Sequence, residues 1–176
     1  FVLHKKILDK HPNTVCIFAP RHSETCSKMI SLLDADAHSW SYLPNNDLKP
    51  DNKFLIINEV GILGTYFELS QIAVIGGSFD TIGGHNPIEA IQKNCIVLHG
   101  ENIQNFSDIY ESLDKLKCSF LTKDADSIMQ KIEDYICQPN KKQDTLKNIN
   151  TIISKKKVLI ENEILDILNL ELGKIK

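Results

Sequence analysis

No stretch of this sequence approaches the roughly 20 consecutive apolar residues needed to cross a bilayer, and its first residues do not read as a secretory signal. The expectation is a soluble, cytoplasmic domain. No two cysteines form a CxxC pair. Cys16, Cys26, Cys95, Cys118 and Cys137 stand apart and are odd in number, which fits free thiols of a reducing compartment, packed mostly as small apolar groups. Neither they nor His4, His11, His22, His38, His85 and His99 show the tight spacing of a zinc site, so no metal is expected. There is no excess of one charge. Twenty Lys and Arg face 23 Asp and Glu, a net charge of −3, which gives no field for nucleic acid or an anionic membrane surface. The GxGxxG fingerprint of dinucleotide sites is also missing.

What is present is an ordinary globular composition. With 176 residues, 42% apolar and 24% charged, the chain suits one compact domain with a core of its own. It opens at Phe1 in what reads as a helix, so a piece of a longer protein, or a processed terminus, is expected.

Short apolar runs alternate with helical patterns. Residues 1–10 carry apolar side chains at helical spacing, for about a turn and a half, and Pro12-Asn13 break the pattern. Val15–Ala19 is a continuous apolar run, as in a strand buried on both faces of a parallel sheet. Ser23 offers a helix cap and Glu24 a first-turn acid for a helix through about Leu33. Ser39–Leu43 predicts a short strand, 44–52 a loop, and 54–57 a second buried strand. A helix is expected over 61–70, a strand over 72–75, a helix from Pro87 to about Lys93 and a strand over 95–98. A helix over 105–116, a strand over 118–121 and a helix over 124–136 ended by Pro139 follow, and two helices are expected over 141–172. Strands alternating with helices imply right-handed βαβ units and a doubly wound parallel sheet of the α/β class. Ligands of such sheets sit beyond the carboxyl ends of the strands. The polar and glycine-rich segments 20–22, 58–61, 76–87 and 99–106 fall at those ends.

Three constellations there bear on chemistry. Pro20-Arg21-His22 precedes a helix, where an arginine and free backbone N–H groups can hold a phosphate; a surface arginine in a turn reads the same way. Gly76-Gly77-Ser78 is either a tight turn or a backbone nest for an anion. Gly83-Gly84-His85-Asn86-Pro87-Ile88-Glu89 is denser. Asn86 fits a helix cap and Glu89 complements the helix dipole, yet a carboxylate at that place also suits the two hydroxyls of a ribose. Asn105 reads as a cap for the helix after it, and His99 as a lone histidine without an evident partner.

Taken in order, Pro20-Arg21-His22, Gly61, Gly76-Gly77-Ser78, Gly83-Gly84-His85-Asn86-Pro87-Ile88-Glu89, Gly100 and Asn105-Phe106 resemble the 3-deoxy-D-manno-octulosonic acid (Kdo) transferases, over residues 1 to at least 136. The resemblance implies the C-terminal, Rossmann-like half of a GT-B glycosyltransferase, spanning 1–153, with 154–176 a helix packing back on the domain or toward an N-terminal half. It implies a CMP-Kdo donor, a lipid A precursor as acceptor, and action at the cytoplasmic face of the bacterial inner membrane in lipopolysaccharide biosynthesis. It implies no cofactor and no nucleic-acid partner. The acceptor site, the membrane contact and a glutamate general base would lie on the N-terminal half, so no catalytic residue and no turnover are expected of this chain alone. The donor-nucleotide residues carried over are Pro20, Arg21, His22, Val60, Gly61, Ile62, Gly77, Ser78, Gly84, His85, Asn86, Pro87, Ile88, Glu89 and Asn105. The chain departs from the pattern at Ile62, where the family has a glutamate, at Asn58 for an aspartate and at Glu101 for a proline. It also starts after the Ser-Thr-His and glutamate-rich segment that opens this half in the family. Other nucleotide sugars, or a folded domain that no longer binds one, are the alternatives.

Overall fold

A computed structural model describes residues 2–35, 39–43, 49, 51–59 and 61–155. The expected loop 44–52 lies largely outside them, as do Val60 and the expected helix beyond 155. The elements follow in the order α1 (Val2–Lys10), β1 (Cys16–Phe18), α2 (Ser23–Ala35), β2 (Trp40–Leu43), β3 (Phe54–Ile57) and α3 (Leu63–Leu69). Then come β4 (Ile72–Val74), α4 (Ile88–Gln92), β5 (Ile96–His99), α5 (Ser107–Lys115), β6 (Ser119–Leu121) and α6 (Ala125–Cys137). A further helix, α7, is described over 139–155.

The α/β class is as expected, with every described strand pair parallel, but the ladder is divided. β1, β3 and β2 form one three-stranded sheet in the order β1-β3-β2, and β4, β5 and β6 form another in the order β4-β5-β6. The central strands β3 and β5 are buried at every position, as apolar runs flanked by strands on both edges must be. The edges are not. Val15, expected in a buried strand, is 52% exposed and Val74 is 44% exposed, because each lies on or beside a strand that pairs on one side only.

Three clusters make the core. One joins Ala73, Ala90, Ile91, Val97, Tyr110 and Ile149, drawing α4, α5 and α7 onto the second sheet. A second gathers Ile7, Leu98, Ile128, Met129 and Ile132. The third surrounds Phe54 and Ile56 with Cys16, Cys26 and Leu33. Helix α1 belongs to two of them: Leu3 and Ile7 pack with the second sheet and α6, whereas Leu8 packs against the first sheet. Lys6 with Asp126 (3.1 Å) and Lys10 with Glu133 (2.5 Å) add exposed ion pairs between α1 and α6, each of small energetic worth.

Several boundaries shift for local reasons. α1 runs nine residues rather than a turn and a half. α3 begins at Leu63, since Gly61 sits at φ +89° and cannot continue a helix. α2 starts at Ser23 itself, and the His22 carbonyl accepts from the Thr25 N–H. α6 is closed by a reciprocal capping box of Asp124 and Ser127. Pro139, expected to end α6, opens α7, the position where its missing N–H costs nothing. Cys16, Cys26, Cys95 and Cys118 are buried free thiols, and Cys137 is exposed.

Candidate functional site

The glycine-rich segment between β4 and α4 is folded back on itself by its own backbone. The N–H groups of Gly83 and Gly84 both donate to the Gly77 carbonyl, at 3.0 and 2.9 Å, and His85 N–H donates to Gly76 at 3.3 Å. Gly84 holds φ +77°, and a Cβ there would meet the Asn102 carbonyl at 3.1 Å. Both the backbone conformation and the space therefore require glycine.

Two anchors clamp this loop to the second sheet. Ser78 is fully buried; its hydroxyl donates to Ile75 O (2.7 Å) and accepts from Gly100 N–H (2.9 Å). Both of its hydrogen-bonding roles are thus internal, and it shapes the loop rather than offering a free hydroxyl. Gly100 crosses so close that a Cβ would lie 2.2 Å from the Ser78 carbonyl oxygen. On the other side Asn105, expected as a helix cap, does something else. The residue flanking α5 is Phe106, and the Asn105 amide donates to Ile82 O (2.8 Å) and Gly84 O (3.4 Å) while its backbone N–H donates to Gly83 O (3.1 Å). It pins the loop from below.

The loop is also held from the core by a group the sequence did not reveal. Tyr110 of α5 is fully buried and its hydroxyl donates to the His85 carbonyl at 2.6 Å. Its ring packs on His99 at 4.5 Å between centroids. His99 is not a lone histidine. It is buried, with Nδ1 2.8 Å from Gly100 O and Nε2 3.1 Å from an Asp114 oxygen. Both ring nitrogens thus face oxygen atoms, so the ring is held at both ends. Burial pushes the Asp114 carboxyl up, but hydrogen bonds from His99 and Ser119 and the His99 charge outweigh it and hold it below its ordinary value. Burial, then the Asp114 charge, drives the Tyr110 hydroxyl upward, so it stays a donor at any physiological pH. The only trace in the sequence was a histidine at a strand end before a glycine; its acid lies fifteen residues on.

At the mouth of the loop, the Asn86 carboxamide accepts from Ile88 N–H at 2.9 Å and closes the turn into α4. Pro87 is fully buried beside it and flanks the helix rather than opening it. Ile88 is half-buried and Glu89 is exposed. The Glu89 carboxylate has no hydrogen bond or ion pair among the described residues, since neighbouring Lys93 pairs with Glu68 instead. A Cβ on Gly64 would touch Glu89 Oε1 at 3.0 Å, so the start of α3 lies against this carboxylate. That brings Gly61 and Ile62 to the same place: Ile62 is half-buried and flanks α3 without a side-chain cap. Val60 lies outside the described residues.

Pro20, Arg21 and His22 stand on the other sheet, after β1. Arg21, His22, Ser23 and Glu24 border an open depression of about 510 Å³ at the start of α2. Arg21 and His22 are exposed, and among the described residues no hydrogen bond or ion pair joins them to the glycine loop. Among the described residues no group of acidic, histidine and cysteine side chains could hold a metal ion, and no helix is long and apolar enough to cross a membrane.

No protein-family model matches the chain. Among individual proteins it is 32% identical, over 111 residues, to a 3-deoxy-D-manno-octulosonic acid transferase of Haemophilus influenzae, an alignment covering 62% of this chain and 26% of that protein. It is 30% identical over 148 residues to the transferase of the same name from Rickettsia bellii, covering 83% of this chain and 34% of the relative. The chain thus spans about a quarter to a third of the length of these relatives. Its fold superposes on the C-terminal CMP-Kdo binding domain of WaaA from Acinetobacter baumannii with a TM-score of 0.79 and 19% identity, covering 86% of this chain and 80% of that one. This chain is therefore related in sequence to the 3-deoxy-D-manno-octulosonic acid transferases and has the fold of the C-terminal domain of one of them.

Proposed function

We propose that this chain is the donor-binding part of a glycosyltransferase that moves Kdo from CMP-Kdo to a lipid A precursor in lipopolysaccharide biosynthesis, at the cytoplasmic face of the bacterial inner membrane. The observation that carries the reading is Glu89. It is an exposed carboxylate without a partner among the described residues, at the first turn of α4, beside the rigid loop 76–87 and the turn into α3. An unpaired carboxylate is what the two hydroxyls of a ribose require, as bidentate acceptance replaces the water it loses. Gly77, Gly84, His85, Asn86, Pro87, Ile88 and Asn105 form or brace the wall behind it, and Gly61 and Ile62 the adjoining one, with Val60 next to them in sequence. Arg21, with the free N–H groups at the start of α2, supplies positive charge for the CMP phosphate as it departs.

The described residues hold and polarise a leaving group, and we assign none of them to activate an acceptor. A general base must reach the attacking hydroxyl, and the side chains of Asp114 and His99 already bind one another. We assign the base, the acceptor site and the membrane contact to the part of the relatives' length that this chain does not span. The test is calorimetric titration with CMP, with UMP and GMP as controls. Selective CMP binding that is lost in Glu89→Ala and weakened in Arg21→Ala is expected; equal binding of all three nucleotides, or full binding by Glu89→Ala, refutes the assignment.

One observation favours a second reading, a folded domain without donor affinity. Ile62, half-buried and flanking α3, is a branched apolar side chain where the resembled family has a glutamate. Absence of CMP binding, restored by Ile62→Glu, would establish that reading.

A further inference from the structure

The two clamps on the glycine-rich loop share one residue. His99 ends β5, and its backbone is fixed by Thr122, whose N–H and hydroxyl both donate to the His99 carbonyl, at 2.7 and 2.9 Å. Its ring reaches both attachments of the loop. Nδ1 lies 2.8 Å from Gly100 O, and the N–H of that same glycine donates to the Ser78 hydroxyl. The ring also packs on Tyr110, whose hydroxyl donates to His85 O. One histidine thus meets the loop near its start, through Gly100 and Ser78, and near its end, through Tyr110 and His85.

Asp114 sets the ring in turn. It stands one helical turn beyond Tyr110 on α5, so the two side chains share a face. Its two carboxylate oxygens lie 3.1 and 3.2 Å from His99 Nε2, and the Ser119 hydroxyl of β6 donates to one of them. The chain of contacts from Ser119 through Asp114, His99 and Gly100 to Ser78 has no gap. Its strand and loop members are buried, whereas the Asp114 side chain keeps 35% of its surface exposed.

Packing alone does not call for such a chain. Apolar groups of the same shape, put in place of both partners of a buried hydrogen bond or ion pair, leave stability nearly unchanged or raise it. What they do not supply is direction, because dispersion contacts let a ring turn or shift where hydrogen bonds fix it. Direction matters at this place. The Gly100 peptide crosses Ser78 with no space for a Cβ, and the Tyr110 hydroxyl must meet a single carbonyl.

We infer that Asp114 and His99 are positioning residues for the candidate donor site. They fix the Gly100 peptide and the Tyr110 ring, and through these the shape of the loop 76–87 and the place of Glu89 just after it. The effect on the loop stands by itself; the effect on the donor rests on the donor reading.

The test replaces the network with apolar groups, His99→Phe, Asp114→Leu and Ser119→Ala together in the 176-residue chain, which frees only the Gly100 carbonyl. Amide hydrogen exchange reads the result without any ligand, so failure of this inference is separable from failure of CMP binding. The reporters are the amides of Gly83, Gly84 and His85, which donate to the Gly77 and Gly76 carbonyls. The references are Ile56 in β3 and Ile132 in α6. The reporters are expected to exchange about 10-fold faster or more while the references keep their rates, and CMP affinity should fall by a like factor at an unchanged thermal midpoint. As single changes, Asp114→Asn should keep the loop protected, because its amide can still accept from Ser119 and donate to Nε2 while Nδ1–H donates to Gly100 O; Asp114→Leu should not. Reporters as slow as in the parent chain overturn the inference. Reporters and references that quicken by one common factor overturn it too, since the pair would then serve general stability alone. Where the triple variant does not fold, the contrast between Asp114→Asn and Asp114→Leu decides by the same ratio, and equal loop protection in those two overturns the inference.

Discussion

Replacing Tyr110 by phenylalanine isolates the contact that ties the glycine loop to the core. The substitution keeps the buried ring, its packing on His99 at 4.5 Å and its place in the core cluster, and deletes one hydroxyl, the donor to His85 O at 2.6 Å. A hydrogen bond of this kind contributes about 1 kcal/mol net, and a carbonyl left without a partner brings the cost to about 1–3 kcal/mol. With a urea dependence of about 2 kcal/mol per molar, the unfolding midpoint should fall by about 0.5–1.5 M. Far-UV circular dichroism across a urea series reads this directly. In the same protein, CMP affinity should fall while the selectivity over UMP and GMP stays, because no ligand-facing group is altered. A midpoint unchanged to within about 0.2 M would show that the His85 carbonyl is satisfied in another way and that the loop is not held from α5.

Acid sensitivity should trace to His4. Burial, then the positive charge of the amino terminus, lowers its pKa from 6.5 to about 4. The unfolded chain takes up a proton below about 6.5 and the folded chain only near 4, so stability is full above 6.5 and is lost as pH falls toward 4, by about 3 kcal/mol. His4→Phe, which also removes an Nδ1 that has no partner among the described residues, should flatten that part of a stability-versus-pH curve; an unchanged slope would place the acid sensitivity elsewhere. Two glycines should separate steric from conformational cost. Gly100→Ala forces a Cβ to within 2.2 Å of Ser78 O and should cost about 3 kcal/mol or more, or abolish folding. Gly61→Ala meets nothing within 4 Å but sits at φ +89°, and should cost only about 1–2 kcal/mol. Equal shifts in thermal midpoint for the two would contradict the close crossing of the β4 and β5 loops.

What the sequence settled by itself was local and periodic. The runs at 54–57 and 95–98 read as strands, the first of them buried, and both are the buried centres of their sheets, because a strand flanked by strands and helices has no polar face to offer. The glycine pairs announced a backbone folded back on itself, since positive φ at Gly77, Gly83 and Gly84 is open to few other residues. Asn86 announced a turn into a helix, and it closes one. Tertiary structure decided what depends on partners far along the chain. His99 looked solitary until α5 brought Asp114 and Tyr110 against it. Asn105 looked like a cap until the loop of Ile82 and Gly84 was laid over it. Val15 reads as part of a strand buried on both faces, and the edge at which it lies leaves it exposed. The physical reason is the same in each case. Periodicity and φ preference act within a few residues and are written in the local sequence, whereas burial, hydrogen-bond pairing and sheet order are set by which distant segments arrive beside one another.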